Sequence, residues 1–335
     1  MGILVDGVWH SGDHHETEEH GGKFVRKDST FRSWVTPDGA AGPSGEDGFP
    51  AEPGRYHLYV VTACPWAHRT LIVRRLKGLE DAISVTRMVP EMTENGWCFA
   101  KPGAEPRAEP DPLYGAKHLY QIYLRADPKC SARPTVPVLW DKQRETIVNN
   151  ESSEILRMFN SAFNDFAGNP DLDLYPEELR KDIDELNAEI YTNVNNGVYQ
   201  CGFATTQDAY DDAVSALFAT LDKVEARLDG QRYLIGDRLT EADWRLYTTL
   251  LRFDAAYFSF FKCNLRRIAD YPNLSNYLRE LYQIDGIAEL LDIEDAKRQY
   301  YSLEKAWYGR PAIVPRGPVQ DLTAPHNRQR LPAAG

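Results

Sequence analysis

No cysteine in this chain has a second one close by. The five, at positions 64, 98, 130, 201 and 263, lie far apart and are odd in number. This argues against a disulfide-stapled scaffold and against the close cysteine pairs of a zinc site, and it fits a reducing compartment. A surplus of positive charge is missing too. Lys and Arg number 38 against 50 Asp and Glu, a net charge of −12, which repels nucleic acid and anionic membranes. No apolar run approaches the roughly 20 residues needed to span a bilayer. The opening Met-Gly-Ile-Leu-Val-Asp has neither the basic nor the apolar region of a secretion signal. The expectation is a cytoplasmic protein that acts on small molecules, with no nucleic-acid or membrane partner. His14, His15 and His20 fall in a polar, Gly-rich stretch. A solvated tail is the favoured reading there over a metal site, so no metal is expected.

Across 335 residues, 42% of them apolar, there is enough chain for two domains. The most informative stretch is Thr62-Ala-Cys-Pro-Trp-Ala-His-Arg69. Cys64 follows the apolar run Leu58–Val61, and Pro65 follows Cys64. Proline is favoured at the first position of a helix because the N–H it lacks would have no partner there. Cys64 then sits at a helix N-terminus, where unpaired N–H groups and the macrodipole favour negative charge. A thiol in that place ionises below the free value of about 8.5, and the thiolate is the nucleophile. Position 67 is Ala, so there is no Cys-x-x-Cys pair. Any disulfide chemistry at Cys64 therefore needs a thiol from outside the chain.

Residues 1–54, rich in Gly, Pro and charge, read as an extension wrapping a domain. Tyr56–Val61 reads as a strand, Trp66–Lys77 as a helix stopped by Gly78, and Ala82–Val89 as a second strand. This order implies a parallel pair with a crossover helix. Residues 91–116 carry four prolines and read as an irregular insertion, followed by a short helix at His118–Leu124. Val136–Trp140 and Thr146–Val148 read as further strands, and Ser152–Phe159 as a helix. From about 165 onward the pattern is helical. Tyr210, Ala213, Val214, Leu217, Leu221, Val224 and Leu228 keep 3–4 spacing over five turns. Thr240-Glu-Ala-Asp243 matches a capping box with Asp in place of Glu, and Leu274–Tyr282 marks another helix. The Pro-rich tail from Pro311 reads as extended or disordered.

A βαβ unit followed by two strands, with Val-Pro entering the third, is the layout of a thioredoxin-like domain. The Val136–Pro137 bond is then expected to be cis beside the thiol helix, leaving the Val136 backbone as a template for an extended peptide. Glu151–Ser152 sits where a strand turns into a helix. Free N–H groups and the Ser152 hydroxyl can hold a carboxylate there, and Glu151 an ammonium, so the pair could recognise an α-amino acid end. The plainer alternative is that Ser152 simply caps the helix.

Several blocks now carry a specific resemblance: Cys64-Pro-Trp-Ala-His-Arg69, Asn95-Gly-Trp97, Arg133-Pro-Thr-Val-Pro-Val-Leu-Trp-Asp141, Thr146-Ile-Val-Asn-Asn-Glu-Ser-Ser-Glu-Ile155, Asn195-Asn-Gly-Val-Tyr199, Phe261-Lys-Cys-Asn264 and Asp270-Tyr-Pro-Asn-Leu274. Over roughly residues 30–318 the chain resembles the glutathionyl-hydroquinone reductases, the Xi class of glutathione transferases. The resemblance implies an α/β thioredoxin-like N-terminal domain followed by an all-α helical-bundle C-terminal domain. With the extension at 1–54, the boundaries become 55–162 for the glutathione-binding domain, 170–310 for the helical domain and 311–335 for the tail.

It implies, further, glutathione-dependent reduction of S-glutathionyl-hydroquinones through a Cys64–glutathione mixed disulfide, with glutathione as co-substrate and a homodimer as the assembly. Trp97, Arg133, Val136, Glu151 and Ser152 match the family's glutathione contacts. Tyr199 and Tyr300 match its substrate-side tyrosines. Phe258, Ser259, Phe260 and Leu303 stand where the family often has histidines, which makes the aromatic pocket more apolar. Cys98, Cys130, Cys201 and Cys263 read as structural or incidental. An Omega-like thioltransferase or dehydroascorbate reductase is the nearest alternative. A non-catalytic binding module is a third reading, against which a thiol at a helix N-terminus argues.

Overall fold

In the computed structural model the described residues are 2–12, 17–45, 47–309 and 311–332, without the side chains of 306–308. His14 and His15 lie outside them, and His20 is exposed. Contacts divide the chain into two units, the first made of residues 1–14, 28–173 and 294–313 and the second of 15–27, 174–293 and 314–335.

The first 54 residues supply two small sheets. Strand β1 (Ile3–Val5) pairs antiparallel with β2 (Val8–His10), and β3 (Trp34–Thr36) pairs parallel with β4 (Gly48–Pro50). The hairpin is tied down by reciprocal bonds: the Leu4 N–H donates to the Ala132 carbonyl at 2.8 Å, and the Ala132 N–H to the Leu4 carbonyl at 3.1 Å.

The apolar run Tyr56–Val60 forms β5, buried along its whole length. It is central in a four-stranded sheet of order β6-β5-β7-β8, with β6 at Ile83–Arg87, β7 at Val138–Asp141 and β8 at Thr146–Asn149. β6 runs parallel to β5 and β7 antiparallel. Between β5 and β6 lies α1 (Pro65–Leu76), and α2 (Leu119–Ala126) precedes β7. The sheet leads into α3 (Ser152–Ser161), which packs on α1. This is the thioredoxin-like arrangement expected from the β-α-β order and the Val-Pro signal. The expected third strand begins two residues later, at Val138. No named helix or strand interrupts the Pro-rich insertion 91–116. Asp111 organises part of it, accepting the N–H groups of Leu113, Tyr114 and Ala116 and the Tyr59 hydroxyl.

The long helix Ile293–Tyr308 falls almost wholly in this first unit. Ala296, Tyr300 and Tyr301 are buried along it, and ion pairs join it to the insertion. Arg107 makes paired bonds to Asp295 at 2.9 and 3.0 Å, and Arg298 reaches Glu91 and Glu105, so the helix is clamped to the insertion.

His57 on β5 is 2% exposed, with its ring nitrogens 2.7 Å from Ser84 Oγ and 2.9 Å from Thr86 Oγ1. Burial, aided by the charge of Lys142, pushes its pKa down to about 4. Below about 6.5 the unfolded chain binds a proton that the folded chain refuses, so stability falls as pH drops from 6.5 towards 4. Urea unfolding is expected to show a loss of about 2 kcal/mol between about pH 7 and pH 5 from this group. The loss should disappear in His57→Gln; an unchanged pH slope in that variant would refute it.

In the second unit the helices are α4 (Arg180–Ile190), α5 (Gly197–Phe203), α6 (Gln207–Gly230), α7 (Glu241–Arg252), the short α8 (Phe258–Phe260) and α9 (Pro272–Tyr282). Val214, Leu217, Leu221, Val224 and Leu228 line the buried face of α6 as their spacing predicts. The capping box at Thr240–Asp243 opens α7, every residue of which is buried.

The tail holds little regular structure, and side-chain bonds tie it down. The Arg328 guanidinium is fully buried and donates to the carbonyls of Leu228, Gln231 and Arg232 at 2.5–2.6 Å. A cation is favoured at the C-terminus of α6, where carbonyls lack helical partners. Gln283 donates to the carbonyls of Leu322 and Ala324, and Gln320 to Asp254.

Candidate thiol site

Strand β5 carries the chain straight into the turn that presents Cys64. The residue is extended (φ −74°, ψ 123°) at the N-cap of α1, Pro65 takes the first helical position, and no acidic residue lies in the first turn. The first turn of α1 therefore places no acidic side chain of its own beside the thiol. Cys64 is 7% exposed, and its Sγ lies 3.9 Å from the Val136 carbonyl oxygen. The Val136–Pro137 bond is cis, as the strand order led one to expect.

The loop bearing Val136 is held from behind by Tyr123 of α2. Its buried hydroxyl donates to the Thr135 carbonyl at 2.8 Å and accepts the Thr135 N–H at 3.1 Å and the Asn150 side-chain amide at 2.9 Å. One donor and two acceptor positions are thus all used. Burial pushes the phenol up to about 12, against hydrogen bonds from Thr135 and Asn150, so it stays neutral. Asn150 in turn is paired with the Phe31 backbone in both directions. Tyr123 carries no motif that marks it in the sequence. Asn150 lies inside the Asn-Asn-Glu-Ser string, where nothing local marks its role.

At the start of α3 the cap is Glu151 rather than Ser152. Glu151 Oε1 accepts the Ser153 N–H at 3.0 Å and the Ser153 hydroxyl at 2.8 Å, and Oε2 accepts the Ser29 hydroxyl at 3.0 Å. Ser152 is buried in the first turn. Burial works against the Glu151 charge, but the Ser153 bonds, the nearby Arg69 charge and Ser29 outweigh it and hold the carboxyl below its usual range. A charged carboxylate is therefore fixed at this helix end, joined through Asn150 and Tyr123 to the Val136 loop. Arg69 itself is buried on α1, with its guanidinium 4.7 Å from the Trp66 ring centroid.

Of the other expected site residues, Trp97 is buried in the insertion, its carbonyl accepting the Leu119 N–H at the start of α2. Arg133 is half-buried just before the Val136 loop, and Tyr300 is buried on the helix Ile293–Tyr308. Tyr199 belongs to the second unit, within a cluster of Phe203, Tyr257 and Phe261. The Arg26 guanidinium lies 4.9 Å from its ring centroid. The arrangement thus unites Cys64 with Val136, and Glu151 with Ser152. Among the described residues no group of three His, Cys, Asp or Glu side chains is placed to hold a metal ion, and no helix is long and apolar enough to cross a membrane.

Comparison with known proteins identifies the family. A family model described as the glutathione S-transferase N-terminal domain matches residues 63–162, and one described as the glutathione S-transferase C-terminal domain matches 207–280. The chain is 54% identical over 328 residues to "Glutathionyl-hydroquinone reductase YqjG" of Escherichia coli (strain K12), covering 98% of each chain. It superposes on the glutathione bound structure of YqjG, a glutathione transferase homolog from Escherichia coli K-12, with a TM-score of 0.88, 51% identity and 98% and 99% of the two chains covered. It superposes likewise on a Xi class GST from Natrialba magadii, with a TM-score of 0.90, 45% identity and coverage of 100% and 98%. The chain therefore belongs to the glutathione S-transferase family and, within it, to the Xi class of glutathionyl-hydroquinone reductases.

Proposed function

We propose that this protein reduces S-glutathionyl-hydroquinones to hydroquinones with glutathione as the reductant, and that Cys64 is the nucleophile. The observation that carries the reading is a lone thiol at the N-terminus of α1, 3.9 Å from the Val136 carbonyl, with Ala at the position of a second redox cysteine. The Cys64 thiolate attacks the sulfur of the conjugate. The bond from that sulfur to the ring carbon breaks, and the ring carbon takes the electron pair and a proton. Cys64 and glutathione are left joined as a mixed disulfide. A second glutathione thiolate attacks this disulfide, glutathione disulfide leaves and the Cys64 thiolate returns.

In this reading the Val136 backbone holds the cysteinyl part of glutathione, and Glu151 with Ser152 holds the γ-glutamyl end. Arg133 pairs with a carboxylate, and Trp97 offers a flat apolar face. Tyr199 and Tyr300 serve the aromatic side as proton donors or hydrogen-bond partners to a ring oxygen. The same reading places residues 55–162 as the glutathione-binding domain, in a cytoplasmic homodimer.

Incubation with glutathionyl-menadiol, followed by mass spectrometry, is expected to find one added glutathione, on Cys64. Turnover of this substrate should exceed that of dehydroascorbate and of a halogenated aromatic acceptor. An adduct on another cysteine, or preference for dehydroascorbate, would overturn the assignment, the second in favour of an Omega-like thioltransferase.

A further inference from the structure

The turn just before Trp97 leads to a second thiol that has a base beside it. Cys98 and His118 face each other across an antiparallel bridge, and Cys98 Sγ lies 3.3 Å from His118 Nδ1. The same sulfur is 3.2 Å from Thr93 Oγ1 and 3.6 Å from the Gly96 carbonyl. The imidazole plane is fixed by stacking. It lies on Tyr120 at 5.4 Å and 8°, and Tyr120 lies on Trp9 at 4.7 Å and 15°. The His118 backbone is anchored as the N-cap of α2, its N–H donating to Gln121 Oε1 at 3.0 Å. Both side chains of the pair are half-buried rather than sealed.

Burial pushes the Cys98 thiol up, with Thr93 opposing, and burial and Lys117 push His118 down. The resting pair is a neutral thiol facing a neutral imidazole. That is the nucleophile-and-base contact in which the proton leaves as the sulfur attacks. The pairing has no local signature, because the two residues lie 20 positions apart in sequence.

We propose that Cys98 is a second reactive thiol, with His118 as its base, and that it takes up glutathione from glutathione disulfide. The Cys98 proton passes to His118 Nδ1 as the sulfur attacks one sulfur of the disulfide. The S–S bond breaks, and the second glutathione leaves as a thiolate and recovers the proton. One glutathione ends on Cys98 and the other is reduced, so electrons balance without a further reagent. The inference rests on the Cys64 reading only for the source of glutathione disulfide in that reaction.

The test incubates the intact protein with added glutathione disulfide, blocks free thiols, digests, and follows the Cys98 and Cys64 peptides separately over time. Glutathione is expected on Cys98, with none at that position in Cys98→Ser. Its uptake should be at least about tenfold slower in His118→Asn, a variant that keeps a favoured N-cap residue for α2. No glutathione on Cys98, or an unchanged rate in His118→Asn, overturns the proposal. A parallel sample treated with glutathionyl-menadiol reports on the Cys64 peptide, so failure of the Cys64 assignment is seen independently.

Discussion

Cys64→Ser is expected to remove turnover of glutathionyl-hydroquinones by on the order of 10³-fold or more, while binding of glutathione stays measurable by calorimetry. The substitution changes one atom. Serine is a favoured N-cap residue, so the start of α1 is kept or improved and the variant should unfold no more easily than the parent. What is lost, in the proposed mechanism, is a group that can attack as an anion: a hydroxyl gains too little from a helix N-terminus to ionise, whereas a thiol needs only a small shift. The Val136 backbone, Glu151 and the Tyr123 network lie outside the substitution, so the tripeptide keeps the partners assigned to it. Loss of binding together with turnover would point to a misfolded site, which the melting temperature reveals. Unimpaired turnover with normal binding would mean that another group attacks the conjugate.

The parts of the site that were legible in the sequence are those set by neighbours along the chain. An apolar run followed by Cys-Pro places a thiol at the end of a strand and the start of a helix, and the structure has it there. Val-Pro ahead of a strand marked the cis bond. Thr240–Asp243 marked a cap, and the apolar spacing over 210–228 marked α6. The parts that were not legible depend on pairs distant in sequence. Tyr123 acts on Thr135 and Asn150 through a single hydroxyl, and no periodicity reports it. Arg328 lies in a segment whose composition suggests an extended or disordered chain, and its guanidinium ties that segment to three carbonyls at the end of α6 and just beyond it. The helix Ile293–Tyr308 continues the helical run in sequence, yet almost all of it belongs to the first unit, where it bonds to the insertion. Glu151–Ser152 was located correctly as a helix start, while which of the two caps it depended on where Ser29 and Ser153 lie.

Asp243 shows how far a local motif can understate a residue, and Asp243→Ala is expected to produce the largest loss of stability of the changes considered. As a capping-box residue it owes one bond, from the Thr240 N–H to Oδ2 at 2.8 Å. It makes three more. The Thr240 hydroxyl reaches Oδ2 at 3.1 Å, and Oδ1 accepts the Leu234 N–H and the Tyr277 hydroxyl, each at 2.8 Å. Burial pushes the carboxyl up, and these bonds oppose it. The four donors come from the loop before α7, its N-cap and α9, so a single carboxylate fixes the entry to the fully buried helix against its neighbour. Removing it strands the Leu234 and Thr240 N–H groups and the Tyr277 hydroxyl away from water, at about 1–3 kcal/mol for each unsatisfied group. Urea unfolding should therefore show Asp243→Ala less stable by at least about 3 kcal/mol. Asp243→Asn, which keeps one acceptor but turns a donor towards the others, should fall between it and the parent. A drop of less than about 1 kcal/mol in the alanine variant, the size of a cap alone, would mean that the Leu234 and Tyr277 bonds add nothing.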